Sequence, residues 1–194
     1  MKRYLPTVAL LLFVSEVLLT LVSWIMSAAS PTGSVRSMLS SEGIRWFLGH
    51  FVDIMASPLL VWLLLLAMAY GCIAKGVDLR ANSYRINSAR LFALVFLLLY
   101  SGIIIMLTMM PHAILLSASG SLWPSPFSAS LVPVVSFGVM AAAIICGTVS
   151  GRFTSLGDVY EALLYGIRKA ASLLLFYVLV AQLYFSLCFV FPIS

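Results

Sequence analysis

Long apolar stretches, each broken off by charged or Pro/Gly/Ser-rich residues, mark five candidate membrane spans at residues 6–26, 58–74, 91–110, 130–149 and 170–191. Each is close to the roughly 20 apolar residues a helix needs to cross about 30 Å of hydrocarbon. In lipid the backbone must satisfy its own hydrogen bonds, which a helix does within one segment. The third span ends at Pro111, whose missing donor stops or kinks a helix. Two further stretches are amphipathic and predict helices in the membrane interface. Residues 41–55 carry Glu42, Arg45, His50 and Asp53 among apolar neighbours, and residues 156–169 set Asp158, Glu161, Arg168 and Lys169 against Val159, Leu163, Leu164 and Ile167. The predicted fold is therefore all-α, a single polytopic membrane domain over residues 1–194.

Composition agrees with this pattern and removes the alternatives. The chain has 194 residues, 63% hydrophobic and 9% charged, with a mean hydropathy of +1.14. A soluble domain carries about 25% charged residues, so no separate soluble domain is expected. The net charge of +5 does not point to nucleic acid, because the eleven basic residues are spread over short connections.

Those basic residues orient the chain instead, since Lys and Arg near span ends stay on the cytoplasmic side. With the N-terminus inside, nine fall inside (Lys2, Arg3, Lys75, Arg80, Arg85, Arg90, Arg152, Arg168, Lys169) and two outside (Arg36, Arg45). The C-terminus then lies outside, as does the uncharged loop 111–128. Trp24, Trp46 and Trp123 fall near outer span ends, where aromatic rings sit at headgroup level. The start, Met1-Lys2-Arg3 with Ala28-Ala29-Ser30 beyond, is similar to a secretory signal. Its apolar run exceeds the roughly 7 to 15 residues of a signal core, and Glu16 interrupts it, so a retained first span is expected.

Polar residues inside the spans are the candidates for chemistry. Glu16 lies near the middle of the first span, where a charge costs about 2.5–3.5 kcal/mol on insertion scales. It is either a proton- or cation-coupled carboxylate or a neutral acid hydrogen-bonded to Ser15, Thr20 or another helix. Asp53 and His50 share a helical face near the outer surface, as an interfacial polar face or a second ionisable pair. Gln182, the one amide in the last span, needs a partner, which makes it packing glue or part of a polar path. His112, at a span end, is a solvated interfacial residue. Tyr84, Tyr160 and Tyr165 are interface anchors, and Gly147 to Gly151 forms a GxxxG that permits close helix approach. Cys72, Cys146 and Cys188 are too far apart for a CxxC site and read as packing or lipid-facing residues. No nucleophile-base-orienter set, HExxH or Walker loop occurs, and no span holds paired carboxylates. Neither enzymatic activity nor a metal or cofactor is expected.

Two blocks carry a family resemblance. The first is Val35 to Trp46, with Leu39-Ser40-Ser41-Glu42-Gly43-Ile44-Arg45-Trp46 at its centre. The second begins at Gly120-Ser121-Leu122 and Ser125-Pro126-Phe127. It continues through Val132-Pro133, Gly147-Thr148-Val149-Ser150-Gly151 and Asp158-Val159 to Ala181-Gln182. In order and spacing they resemble the p-aminobenzoyl-glutamate transporters, the AbgT-type inner-membrane carriers. The resemblance implies an inner-membrane address, a helical fold, a relation to transport and an aromatic-glutamate solute.

Departures accompany it: Pro58-Leu59-Leu60 stands where a Pro-Leu-Gly run is usual, Lys75 replaces an acid, and Ala142-Ala143 replaces a Pro-Gly break. The family's re-entrant hairpins have no counterpart, so none of its substrate-contact residues is carried over. The expectation is a reduced transport protein, homo-oligomeric or bound to a larger membrane partner, with Glu16, Asp53 and Gln182 on its polar path. The alternative is a non-transporting membrane subunit derived from such a carrier.

Overall fold

The computed structural model describes residues 4–29, 35–78, 83–109 and 126–192. Among the described residues six helices follow one another: α1 (Leu5–Ala29), α2 (Ser41–Met55), α3 (Pro58–Gly76), α4 (Tyr84–Met109), α5 (Pro126–Ser150) and α6 (Leu156–Val190). All but α2 are long and apolar enough to cross a membrane. The protein is thus an all-α polytopic membrane protein, and each of these five helices overlaps one of the predicted apolar stretches. Lys2, Arg3, Arg80, Pro111, His112, Trp123 and the 111–128 loop up to Ser125 lie outside the described residues.

One boundary is corrected. The stretch 156–169 is not a separate interfacial helix, because it continues into the last span as the 35-residue α6. At 1.5 Å per residue that helix is about 52 Å long against about 30 Å of hydrocarbon. Its charged first turns can therefore lie beyond the apolar layer without a break.

The helix ends have local causes. Ser40 caps α2, accepting from Gly43 N at 3.0 Å while donating to Ser37 O at 2.8 Å. A Cβ on Gly43 would lie 2.5 Å from the carbonyl oxygens of Ser37 and Met38, so the Ser-Ser-Glu-Gly string is a cap whose glycine admits the incoming backbone. At the start of α6, Asp158 Oδ2 accepts from Thr154 N and Ser155 N, and Asp158 N donates to Ser155 Oγ at 3.3 Å, a reciprocal capping box.

The GxxxG reading of Gly147 and Gly151 is also corrected. Gly151 takes φ 82° and ends α5, with Arg152 N donating to Gly147 O at 2.8 Å and Gly151 N to Thr148 O at 3.0 Å. This is a Schellman turn, and Gly147 leaves room for the Phe153 ring that folds back over it.

The chain divides into two compact units, Met1–Leu60 with Ala171–Ser194, and Val61–Ala170. In the second, Ala69, Cys72, Met140, Ala143, Phe153 and Ala162 form the core. Buried Cys72 and Cys146 are packing residues there. Close helix approach occurs between α3 and α6: a Cβ on Gly71 would collide with Ala162 O, and one on Gly166 with Ala67 O. Ala67-x-x-x-Gly71 thus faces Ala162-x-x-x-Gly166, two small-residue repeats letting backbones touch. Tyr100 on α4 lies against Gly138 of α5 and donates to Val134 O at 2.9 Å.

In the first unit, Met38, Phe189 and Val190 are the core, with Leu19, Val35, Trp46 and Phe47 around them. Trp46 stacks on Phe189 at 4.5 Å, so it packs the protein. The segment before α2 is tied down by Met38 N donating to Ser23 Oγ at 3.1 Å and Arg36 N donating to Val190 O at 3.1 Å.

Candidate functional site

Glu16 stands at the middle of α1, and its neighbours on that helix do not partner its carboxyl. Ser15 Oγ donates to Leu12 O at 2.7 Å and Thr20 Oγ1 to Glu16 O at 2.9 Å, so both hydroxyls serve their own helix. The carboxyl's partner is on α6: Ser186 Oγ donates to Glu16 Oε1 at 2.5 Å. Gln182, one turn earlier, donates through Nε2 to Ser186 Oγ at 3.5 Å. Hydrogen bonds thus run in one direction, from amide to hydroxyl to carboxyl.

Burial makes this direction matter. Ser186 is fully buried and Gln182 is 8% exposed. The serine is satisfied as donor and acceptor, yet Glu16 Oε2 and Gln182 Oε1 are buried with no hydrogen-bond partner. Both are acceptors, so the trio lacks donors at each end. A buried polar atom without a partner costs about 1–3 kcal/mol. A cation, or a solute bearing N–H or O–H groups, would meet that need, while a proton on the carboxyl would remove its charge and turn Oε2 into a donor.

Two of the three candidates are therefore brought together, Glu16 and Gln182 through Ser186. Asp53 is exposed on α2 and makes no hydrogen bond to that trio. His50, also exposed, turns Nδ1 toward Trp46 O at 3.3 Å and stacks on the Trp46 ring at 6.0 Å. Ser186 is the residue that sequence reasoning missed. Its signal was the i, i+4 spacing from Gln182 inside an otherwise apolar span, which puts both on one face. Tyr165 in the other unit receives Lys75 Nζ at 5.1 Å and Lys169 Nζ at 5.6 Å from its ring centre.

Comparison with protein-family models, with curated proteins and with solved structures gave no match to this chain.

Proposed function

We propose that this polytopic membrane protein is a transport protein of reduced AbgT-like type, in which Glu16 is the proton-carrying group and Gln182 and Ser186 complete its polar site. The observation that carries this reading is the pair of buried acceptors without donors, Glu16 Oε2 and Gln182 Oε1. A site serving only to pack two helices gains nothing from leaving both unsatisfied, whereas a site that takes up and releases a proton or a polar solute needs such atoms. The two sequence blocks support an aromatic-glutamate solute. The nine-to-two distribution of basic residues supports an inner-membrane orientation with the N-terminus inside.

The test is p-aminobenzoyl-glutamate flux in proteoliposomes with and without an imposed pH gradient. Glu16→Gln keeps the shape and an acceptor but cannot lose a proton, so flux is expected to lose its dependence on the gradient. Gradient-driven flux unchanged in that variant removes Glu16 from the mechanism.

A non-transporting membrane subunit is the second reading. It is favoured by α1, along which Ser23 alone is buried, leaving most of that helix to lipid or to a partner helix. Co-purification of a larger membrane protein, together with no flux from the isolated chain, would select it. A homo-oligomer is the corresponding arrangement under the transport reading.

A further inference from the structure

An apolar cleft of about 210 Å³ lies between α1 and α2, lined by Thr20, Met38, Leu39, Ile44, Phe47 and Leu48. The donor of the one hydroxyl on its wall is already spent, because Thr20 Oγ1 donates to Glu16 O at 2.9 Å. What fills this space is therefore apolar. A dry cavity of about 150 Å³ already takes a benzene ring, so one phenyl group or a short alkyl chain fits. Thr20 stands one turn of α1 from Glu16, about 6 Å along the helix axis. The cleft and the polar trio are thus neighbours within one unit.

The trio is one-sided in its hydrogen bonding. Glu16 Oε2 and Gln182 Oε1 are buried acceptors without donors, and Gln182 as a whole is only 8% exposed. Among the described residues no Lys, Arg or His pairs with the Glu16 carboxyl. A ligand head that suits this place brings donors and no further acceptor. An ammonium has three donors and no acceptor, whereas a hydroxyl adds two lone pairs. A carboxylate adds acceptors and a second negative charge, which repels the first.

We propose that the unit Met1–Leu60 with Ala171–Ser194 binds an amphiphile with a primary amine, its N–H groups meeting the orphan acceptors, Glu16 Oε2 first, and its apolar body in the cleft beside Thr20, Ile44 and Phe47. The assignment rests on the reading of the Glu16 trio as a transport site, and it names the chemical class of the solute. A proton on Glu16 turns Oε2 into a donor, so proton and amine compete for one oxygen. A solute such as p-aminobenzoyl-glutamate meets the site amine first, with its carboxylates turned away.

The full chain in lipid nanodiscs is titrated with three tritiated probes that share one apolar body, benzylamine, benzyl alcohol and phenylacetate, and binding to empty nanodiscs is subtracted. Benzylamine is expected to bind about tenfold more tightly than benzyl alcohol, the margin of a charge-assisted hydrogen bond over a neutral one. Phenylacetate is expected not to saturate. Glu16→Gln is expected to bring amine and alcohol to the same affinity, and Ile44→Trp, which fills the cleft, to weaken both alike. Helix content and elution volume check that each variant is folded; if neither folds, the ranking of the three probes on the unaltered protein decides alone. Three results overturn the proposal: equal affinity for amine and alcohol, a preference for the amine kept in folded Glu16→Gln, or no saturable binding of any probe because a bilayer acyl chain occupies the cleft. The transport reading fails separately. Amine binding without p-aminobenzoyl-glutamate flux removes transport and leaves the amine site standing, whereas gradient-coupled flux with no amine preference removes the amine site alone.

Discussion

The contact between α1 and the second half of α6 and the contact between α3 and its first half use opposite means to hold a helix pair. At Glu16 the pair is joined by side-chain hydrogen bonds, through Ser186, with two buried acceptors left over. At Gly71 and Gly166 there is no side chain at all, and the backbones touch. In lipid, where neighbouring helices gain no hydrophobic driving force, close packing of small residues is a stable solution. A half-satisfied polar cluster is a costly one. The difference teaches that the α3–α6 seam is built for stability, while the Glu16 cluster retains a cost that stability alone does not require.

The largest expected effect comes from breaking the seam. Gly166→Leu drives a side chain into the Ala67 carbonyl and is expected to destabilise the protein by about 3 kcal/mol, the upper part of the usual range for overpacking. Thermal unfolding in detergent checks it, and a variant as stable as the parent would mean that the helices separate freely there. Next, Glu16→Leu combined with Gln182→Leu removes both buried orphan acceptors and leaves Ser186 free to bond a carbonyl of its own helix. This pair is expected to leave stability unchanged or raise it by about 1 kcal/mol, while abolishing gradient-coupled flux. A marked loss of stability would make the cluster packing glue and erase the contrast. The smallest effect is at Ser40, which serves neither contact. Ser40→Ala is expected to cost about 1 kcal/mol through the lost α2 cap, read from the same unfolding curves, with flux unaltered.

Hydropathy located all five long helices because burial in lipid requires apolar length, a property of composition along the chain. It did not join 156–169 to the last span, since charge marks where a helix leaves hydrocarbon and not where its hydrogen bonds stop. Glu16 and Gln182 were legible as anomalies, each a polar group in an apolar run. Their common partner Ser186 was not, because a serine in a membrane helix can bond its own backbone and so raises no conflict by itself. Gly147 and Gly151 have the spacing of a helix-packing motif, which is common in membranes and carries little weight by itself; here Gly151 adopts φ 82° and turns the chain.

By itself the sequence determined the solvent, the number of long helices and which polar residues must be accounted for, because the free energy of placing apolar and charged groups in lipid depends on residue type and run length. The tertiary structure decided which helix faces meet: that Glu16 finds Ser186 and Gln182 while Asp53 stays exposed, and that Gly71 and Gly166 form the tight seam. Those outcomes depend on the rotation and separation of whole helices, and small residues and single hydroxyls gain their meaning only from what stands opposite them.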